Sequence, residues 1–291
     1  MLQTKIRYLA RSDVYNVEKP YSADFIVDEQ NGAQRSNIIT THCDVQVMPV
    51  SSRSAFDMDV SGFCILNEDT SLTLEDALAR PQDVELQYQA ELEQIVHKHF
   101  PEYTRLEALD FVVRKRHPDY PTEKATVVKH EQPAAVAHTD YTRGGAVQQL
   151  KGSFPGQEEH FLDKEYDMIK YVLLSLHIVF SINTHSIWKP LVGPNDDWPL
   201  ALCDYSTIQP SDIVHADVLH VDRVTENQLL YPNEQQRWYY VENQRPNDLI
   251  LFRNVDSTGK RAVGFHAAVQ NPSSTGPART SVEVRFVAFR Q

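Results

Sequence analysis

Histidine and aspartate stand two residues apart at several places in this chain. Three tripeptides share the spacing: His138-Thr139-Asp140, His215-Ala216-Asp217 and His220-Val221-Asp222. Chance alone gives about one such tripeptide among the histidines of a chain like this, so the spacing by itself is weak evidence for a site. The surrounding sequence must therefore decide which of them does chemistry.

Metal binding is the chemistry that this spacing suits. Two imidazoles and one carboxylate on one face of an iron(II) ion leave the opposite positions open for oxygen and a co-substrate. On a strand, residues i and i+2 project to the same side, so His138 and Asp140 can supply two ligands together. His266, in the short β-type run Val263–Val269, is the candidate for the third ligand.

The number of intervening strands favours the first tripeptide. At least four strand-like segments separate Asp140 from His266, which is enough to close a barrel around a metal, whereas only about two separate the other tripeptides from it. His215 and His220 are instead expected on a solvated helix or loop that carries mixed charges.

The C-terminal segment adds a candidate anion site. In residues 278–287, alternation places Arg279, Ser281, Glu283 and Arg285 on one face of a strand. A guanidinium with a hydroxyl two residues on can hold a carboxylate, with each charge-assisted hydrogen bond contributing about 1.5–3 kcal/mol. The alternative is an ordinary half-exposed strand in which Glu283 pairs with an arginine.

Most of the chain has the pattern of short strands, which predicts a mainly β fold, an antiparallel barrel or sandwich with a few helices outside. Two helices are predicted, over residues 82–99 after Pro81 and over Glu158–Ser175, where apolar residues recur every three or four positions. The predicted strands are Ile6–Leu9, Phe25–Val27, Val45–Val50, Leu109–Lys115, Ala125–Lys129, Ala134–His138, His177–Lys189, Leu200–Cys203, Trp238–Val241, Leu249–Phe252, Val263–Val269 and Ser281–Phe289.

Composition narrows the class of partner. The 291 residues carry a formal net charge of −12, which disfavours nucleic acid as a partner because phosphate binding needs a basic face. The longest apolar run, Tyr171–Phe180, is too short to span a bilayer, and the first residues do not have the pattern of a secretory signal, so secretion is not expected. Three cysteines without C-x-x-C spacing indicate neither disulfides nor a thiolate zinc site, so a cytoplasmic location is expected.

Taken in order, these segments resemble the Fe(II)/2-oxoglutarate-dependent oxygenases, and more narrowly the group containing the cephamycin methoxylation protein, gibberellin-desaturase-like proteins and the fungal meroterpenoid endoperoxide-forming oxygenase. The resemblance covers about residues 105–291. Its matching stretches are Ala137–Tyr141, Ile187–Pro194, Pro199–Asp204, Arg237–Tyr240, Phe265–Ala268 and Arg279–Arg285. Lys189 stands where the group commonly has an arginine.

The resemblance implies a double-stranded β-helix (jelly-roll, cupin-like) core with a few flanking helices, in a single domain where residues 1–104 pack on the core 105–291. It implies Fe(II) held by His138, Asp140 and His266, and 2-oxoglutarate held by Arg279 and Ser281, with Lys189 and Arg285 as further candidates. Arg285 lies further along the strand, so it is expected behind the residues that contact the ligands, paired with Glu283. Oxygen is the oxidant, and ascorbate is a candidate reductant. The implied substrate is a small terpenoid-like molecule, a fungal meroterpenoid above all, that undergoes endoperoxide formation, hydroxylation or desaturation.

Two other functions fit the same residues. A cupin-like metal oxygenase without a keto acid would use the histidines and leave Arg279 structural. A metal-free β-barrel that binds an apolar ligand would make the tripeptide accidental. The residues that bind substrate are not assigned, since strand aromatics such as Tyr141 and Trp188 are more often plain core. A homodimer is a further expectation, because the N-terminal third contributes no ligand and must pack on something.

Overall fold

The computed structural model describes residues 1–25, 27–28, 31–121, 129–157, 164–169 and 187–290. Within these ranges there are three α-helices: α1 (Leu74–Ala79), α2 (Gln82–His99) and α3 (Arg143–Ser153). The strands are β1 (Leu2–Leu9), β2 (Tyr21–Ala23), β3 (Thr40–Pro49), β4 (Phe63–Asn67), β5 (Tyr103–Lys115), β6 (His138–Thr139), β7 (Tyr166–Ile169), β8 (Ile187–Pro190), β9 (Leu200–Cys203), β10 (Ile213–Leu219), β11 (Val224–Leu230), β12 (Trp238–Tyr240), β13 (Asp248–Asp256), β14 (His266–Ala268) and β15 (Thr280–Arg290).

These strands form two sheets. Sheet A has the order β1-β3-β12-β9-β14-β6-β11-β10-β2, and sheet B the order β4-β13-β7-β15-β5, with β8 paired to both β13 and β15. Most neighbours are antiparallel, so the mainly β, largely antiparallel architecture predicted from the sequence is confirmed. No helix in the described ranges is long and apolar enough to cross a membrane.

Alternation along β15 divides sheet B into two faces with different roles. Val282, Val284 and Phe286 lie on the outer face, in a buried cluster with Leu92 and Val96 of helix α2. Burial of each such apolar side chain stabilises the folded state by about 1.5–3 kcal/mol. The intervening residues of β15 therefore point the other way, into the space between the sheets.

Helix α2 confirms the predicted helix over residues 82–99. Pro81 stands directly before its first residue, where the missing N–H costs no hydrogen bond, and the helix ends one residue before Phe100 and two before Pro101. Basic side chains occupy its last turn, where they complement the partial negative charge of the helix end.

The second predicted helix is wrong where the structure describes it. Tyr166–Ile169 forms strand β7, which pairs with both β13 and β15 in sheet B. The apolar spacing of three and four residues is helical, but two flanking strands satisfy the backbone of this segment, and that tertiary pairing overrides the local pattern. The rest of Glu158–Ser175 lies outside the described residues, apart from Lys164 and Glu165.

Several other predicted elements shift. Of the strand expected at Phe25–Val27, neither Phe25 nor Val27 belongs to a strand, and Ile26 lies outside the described residues. The chain forms a strand just before, at Tyr21–Ala23, where it pairs with β10. Only His138 of the segment Ala134–His138 belongs to a strand. Residues 125–128 and 177–186 of the predicted strands lie outside the described residues.

The second tripeptide does not lie on a helix or loop as expected. His215 and Asp217 belong to strand β10, which pairs with β11 so that Asp217 stands opposite Glu226. Lys19 forms ion pairs with both of these carboxylates, which offsets the like-charge repulsion across the pair. The expectation of a solvated, mixed-charge surface at His215 holds, since its side chain is 54% exposed, but the surface is a strand.

Candidate metal centre

Cross-strand pairing brings together the three residues predicted to bind metal. Strand β14 pairs with β6 so that His266 stands directly opposite His138, although 128 positions separate them in the chain. Asp140 follows β6 immediately. One ligand atom from each of the three residues lies within 4.8 Å of the others. The two imidazole rings are 4.3 Å apart between centroids.

Both imidazoles are oriented by the backbone two residues before them. His138 Nδ1 lies 2.7 Å from the carbonyl oxygen of Val136, and His266 Nδ1 lies 3.0 Å from that of Gly264. A carbonyl only accepts hydrogen bonds, so each Nδ1 carries the proton and donates. Each Nε2 is then left with its lone pair, the form in which imidazole binds a metal.

Asp140 presents one oxygen to both histidines. Its Oδ1 lies 3.3 Å from His138 Nε2 and 3.9 Å from His266 Nε2, whereas its Oδ2 lies 3.1 Å from the Nε of Arg285. The Asp140 backbone N–H also donates to Asn254 Oδ1 at 3.3 Å. The carboxylate is therefore held with a single oxygen toward the histidines, as a monodentate ligand requires.

This donor set fits iron(II). Two imidazole nitrogens and one carboxylate oxygen make up the facial triad of non-haem iron sites, and the orientation of each Nδ1 supplies the outer hydrogen bond that such ligands need. Phe252 covers one side of the centre, with its ring centroid 4.6 Å from that of His266. The side chains of His138, Asp140 and His266 are 13%, 8% and 2% exposed.

Arg279 and Ser281 lie together on the inner face of β15, as the alternation predicts. The Arg279 Nε donates to Ser281 Oγ at 3.2 Å, and its Nη1 donates to the carbonyl of Trp198 at 2.7 Å. The side chain is 2% exposed and its guanidinium lies 4.8 Å from the Trp188 ring centroid. It forms no ion pair with a carboxylate side chain among the residues described.

The charge of Arg279 is not paired with a carboxylate side chain in the part of the chain that the structure describes. Burial, together with the nearby Arg114, lowers the pKa of Arg279 to about 10. Glu283 does pair with an arginine, but that arginine is Arg114, at 2.7 Å, and Glu283 forms no ion pair with Arg279. A buried cation without a carboxylate partner is costly unless a bound anion compensates it.

Arg285 and Lys189 have different surroundings from those expected. Arg285 contacts Asp140 and donates through Nη1 to the Tyr141 hydroxyl at 2.5 Å, so it supports a candidate metal ligand, in line with a position behind the direct ligands. The expected partner Glu283 pairs with Arg114 instead. Lys189 stands opposite Val282 in the β8–β15 pairing and therefore shares the outer face of sheet B. That placement does not suit the predicted contact between Lys189 and 2-oxoglutarate.

Two residues that shape the site were not singled out in the sequence. Asn254 anchors the backbone of Asp140, and Trp198 supplies the carbonyl that orients Arg279. Trp198 has a φ of 48°, a left-handed conformation that non-glycine residues rarely adopt. Neither role has a local signal, because each depends on a contact between distant segments.

The fold and the site together define the class of protein. It is a double-stranded β-helix protein in which two histidines and one carboxylate form a candidate metal centre. The chain belongs to the family described as "Oxidoreductase/YMDC permease-like domain", whose pattern matches residues 6–289. A solved structure of the iron and alpha-ketoglutarate-dependent endoperoxidase NvfI superposes with a TM-score of 0.79 at 23% identity, covering 99% of this chain and 97% of that one. The predicted jelly-roll fold is confirmed by this similarity.

Curated fungal proteins are similar in sequence. The chain is 36% identical over 113 residues to the aspirochlorine biosynthesis protein N of Aspergillus oryzae, covering 36% of this chain and 46% of that protein. It is 31% identical over 164 residues to the Fe(II)/2-oxoglutarate-dependent dioxygenase nvfI of Aspergillus novofumigatus, covering 54% and 53%. The expected resemblance to Fe(II)/2-oxoglutarate oxygenases is thereby confirmed. The matched region spans about half the length of these two relatives.

Proposed function

We propose that the protein is an Fe(II)/2-oxoglutarate-dependent dioxygenase that oxidises an unactivated C–H bond of a fungal secondary metabolite. The observation that carries this proposal is the placement of a facial metal triad and a buried, carboxylate-free Arg279 on inner faces of the same β fold. The names of similar fungal proteins, which include a dioxygenase and a hydroxylase/desaturase, support the same reaction class.

The protein residues bind and orient in this proposal. His138, Asp140 and His266 hold the iron, and Arg279 with Ser281 holds the distal carboxylate of 2-oxoglutarate. Bound iron and 2-oxoglutarate supply the oxidising chemistry, in which oxygen is reduced while the keto acid loses carbon dioxide and becomes succinate. Arg285 lies against the second Asp140 oxygen, so Asp140 would offer the iron a single oxygen and leave room for the keto acid and oxygen.

We propose that the organic substrate binds in a cavity of about 620 Å³. Trp198, Tyr120, Ala268 and Ala135 contribute to its lining. The three candidate metal ligands and Arg279 do not line this cavity. Two lining residues are their neighbours, since Ala268 lies two residues after His266 on the same strand and the Trp198 carbonyl accepts a hydrogen bond from Arg279. The volume of the cavity is in the range of small-molecule sites. The rings of Tyr120 and Trp198 offer apolar area to a terpenoid-like, meroterpenoid substrate, and the charged residues Lys5, Arg7 and Asp44 also line the cavity and suit polar groups on that substrate.

An anaerobic titration tests the metal chemistry. Fe(II) and 2-oxoglutarate added together should produce a weak visible charge-transfer band that neither produces alone. His138→Ala should abolish the band and the release of succinate. His215→Ala is the matched control, since it removes the histidine of another His-x-Asp tripeptide on an exposed strand. A band of equal intensity in His138→Ala would refute the assignment.

Product analysis tests the oxidation outcome. Incubation with candidate meroterpenoids, ascorbate, Fe(II) and 2-oxoglutarate, followed by mass spectrometry, distinguishes gain of one oxygen, gain of two oxygens and loss of two hydrogens. These correspond to hydroxylation, endoperoxide formation and desaturation. Succinate release that does not depend on any added terpenoid, with none of them altered, would contradict the substrate class and leave the metal assignment intact. The homodimer remains a prediction, for which light scattering of the purified chain is the measurement.

A further inference from the structure

The residue Lys189 lies on the outer face of sheet B, on the opposite side of β8 and β15 from the metal centre. Its side chain is only 2% exposed. The ammonium donates to Thr70 Oγ1 at 2.5 Å and to the Leu72 carbonyl at 3.4 Å, and it lies 5.4 Å from the centroid of the Tyr88 ring. Its third N–H has no protein acceptor among the residues that the structure describes.

The charge of this ammonium is not compensated by the described part of the chain, in which no carboxylate forms an ion pair with it. Glu91 acts on it only at longer range, and burial lowers the pKa of Lys189 to about 8. Lysines are almost never buried without a partner, because removing an ammonium from water is costly. A bound anion would therefore stabilise the charged form of this lysine.

A cavity of about 370 Å³ opens beside it. Lys189 and Thr70 line the cavity together with the cation Arg245, while Gly193 and Asn247 contribute to its walls. Arg245 is exposed, and its guanidinium forms no ion pair with any described carboxylate. Two uncompensated cations thus face one small cavity.

Asp69 is the lining residue that opposes this charge. It is exposed and forms no ion pair with Lys189 or Arg245 among the described residues, so solvent screens it while the buried ammonium is screened much less. The balance at the buried end of the cavity is therefore positive.

We propose that this cavity binds a small oxyanion, a carboxylate or a phosphate group, with the Lys189 ammonium at its buried end and Arg245 at its exposed end. The site is separate from the proposed iron and 2-oxoglutarate centre, because Lys189 and the inner residues Ser281 and Glu283 lie on opposite faces of the sheet. The proposal does not rest on the oxygenase function.

Thermal unfolding of the purified full chain tests the site with two probes, inorganic phosphate and acetate, at constant ionic strength set by sodium chloride. At least one of the probes should raise the Tm of the wild-type protein in a saturable way. Lys189→Met keeps the approximate length of the side chain and removes its charge. It should weaken the binding of that probe about tenfold or more, since a charged hydrogen bond is lost. A response to phosphate alone or to acetate alone identifies which oxyanion the site prefers.

Lys151→Met is the matched control, because Lys151 is exposed on helix α3 and lines none of this cavity. It should leave the response unchanged. The absence of a Tm response to both probes in the wild type would overturn the proposal. An equal response in Lys189→Met would also overturn it, since phosphate bound at Arg279 or at surface lysines would behave in that way.

A labelling measurement on the wild type covers the case in which Lys189→Met does not fold. Amine acylation at pH 8, followed by peptide mass spectrometry, compares Lys189 with Lys151 as the probe concentration rises. Saturable protection of Lys189 alone supports the site. Equal protection of both lysines, or none, refutes it.

Discussion

Gly264 lies in a position where a single methyl group should disturb the metal centre. A Cβ added at Gly264 would stand 2.7 Å from Phe252 Cβ and 2.9 Å from the carbonyl oxygen of Gly62, both closer than real Cβ contacts. The Gly264 N–H donates to the Arg253 carbonyl at 2.6 Å, and the Gly264 carbonyl accepts from His266 Nδ1 at 3.0 Å. The glycine thus sets both the approach of β13 and the orientation of His266.

Gly264→Ala must push the segment before β14 away from Phe252, which lies against the His266 ring. Overpacking of this kind costs about 1–3 kcal/mol of unfolding free energy. Loss of the hydrogen bond that orients a metal-binding histidine lowers metal affinity by about 10–100-fold. The variant should therefore show both a lower urea midpoint and weaker metal binding.

Chelator competition under anaerobic conditions measures the iron affinity, and urea unfolding of the metal-free protein measures the stability. Gly276→Ala is the matched control, since its added Cβ would meet only the Pro194 carbonyl oxygen at 3.9 Å, an ordinary contact. Iron affinity in Gly264→Ala equal to that of Gly276→Ala would refute the reasoning that the Gly264 carbonyl orients His266.

Three further outcomes follow from the buried charges. Arg279→Ala should raise the apparent 2-oxoglutarate requirement by about one to two decades, given about 1.5–3 kcal/mol for a charged hydrogen bond, and an unchanged requirement in succinate assays would remove Arg279 from the site. Arg285→Gln frees the second oxygen of Asp140 and should weaken iron binding by about tenfold or more in the same chelator competition, whereas unchanged binding would contradict the supporting role. Burial raises the pKa of Glu107 to about 7 despite its ion pair with Arg105, so the folded state binds the extra proton and unfolding free energy should fall as pH rises from about 4.5 to 7. Glu107→Gln should flatten that fall in urea titrations, and an unchanged slope would refute the assignment.

Local sequence accounts well for elements whose pattern and packing agree. Helix α2 has an apolar stripe, a proline at its start and a proline beyond its end, and the same stripe packs on sheet B. β15 alternates polar and apolar residues, and both of its faces are used as the alternation predicts. In β7 the pattern and the packing disagree. The segment has helical apolar spacing but forms a strand, because β13 and β15 supply backbone hydrogen-bond partners on both sides.

The candidate ligands are determined by the sequence alone to a large extent. The i, i+2 spacing of His138 and Asp140, the distance to His266 and the alternation of Arg279 and Ser281 are properties of the chain, and they specify which groups can meet. Only the tertiary structure decided that Glu283 pairs with Arg114, that Arg285 supports Asp140 and that Lys189 faces away from the centre. Partner choice among buried charges depends on strand register and on which strands are neighbours, and local spacing contains neither.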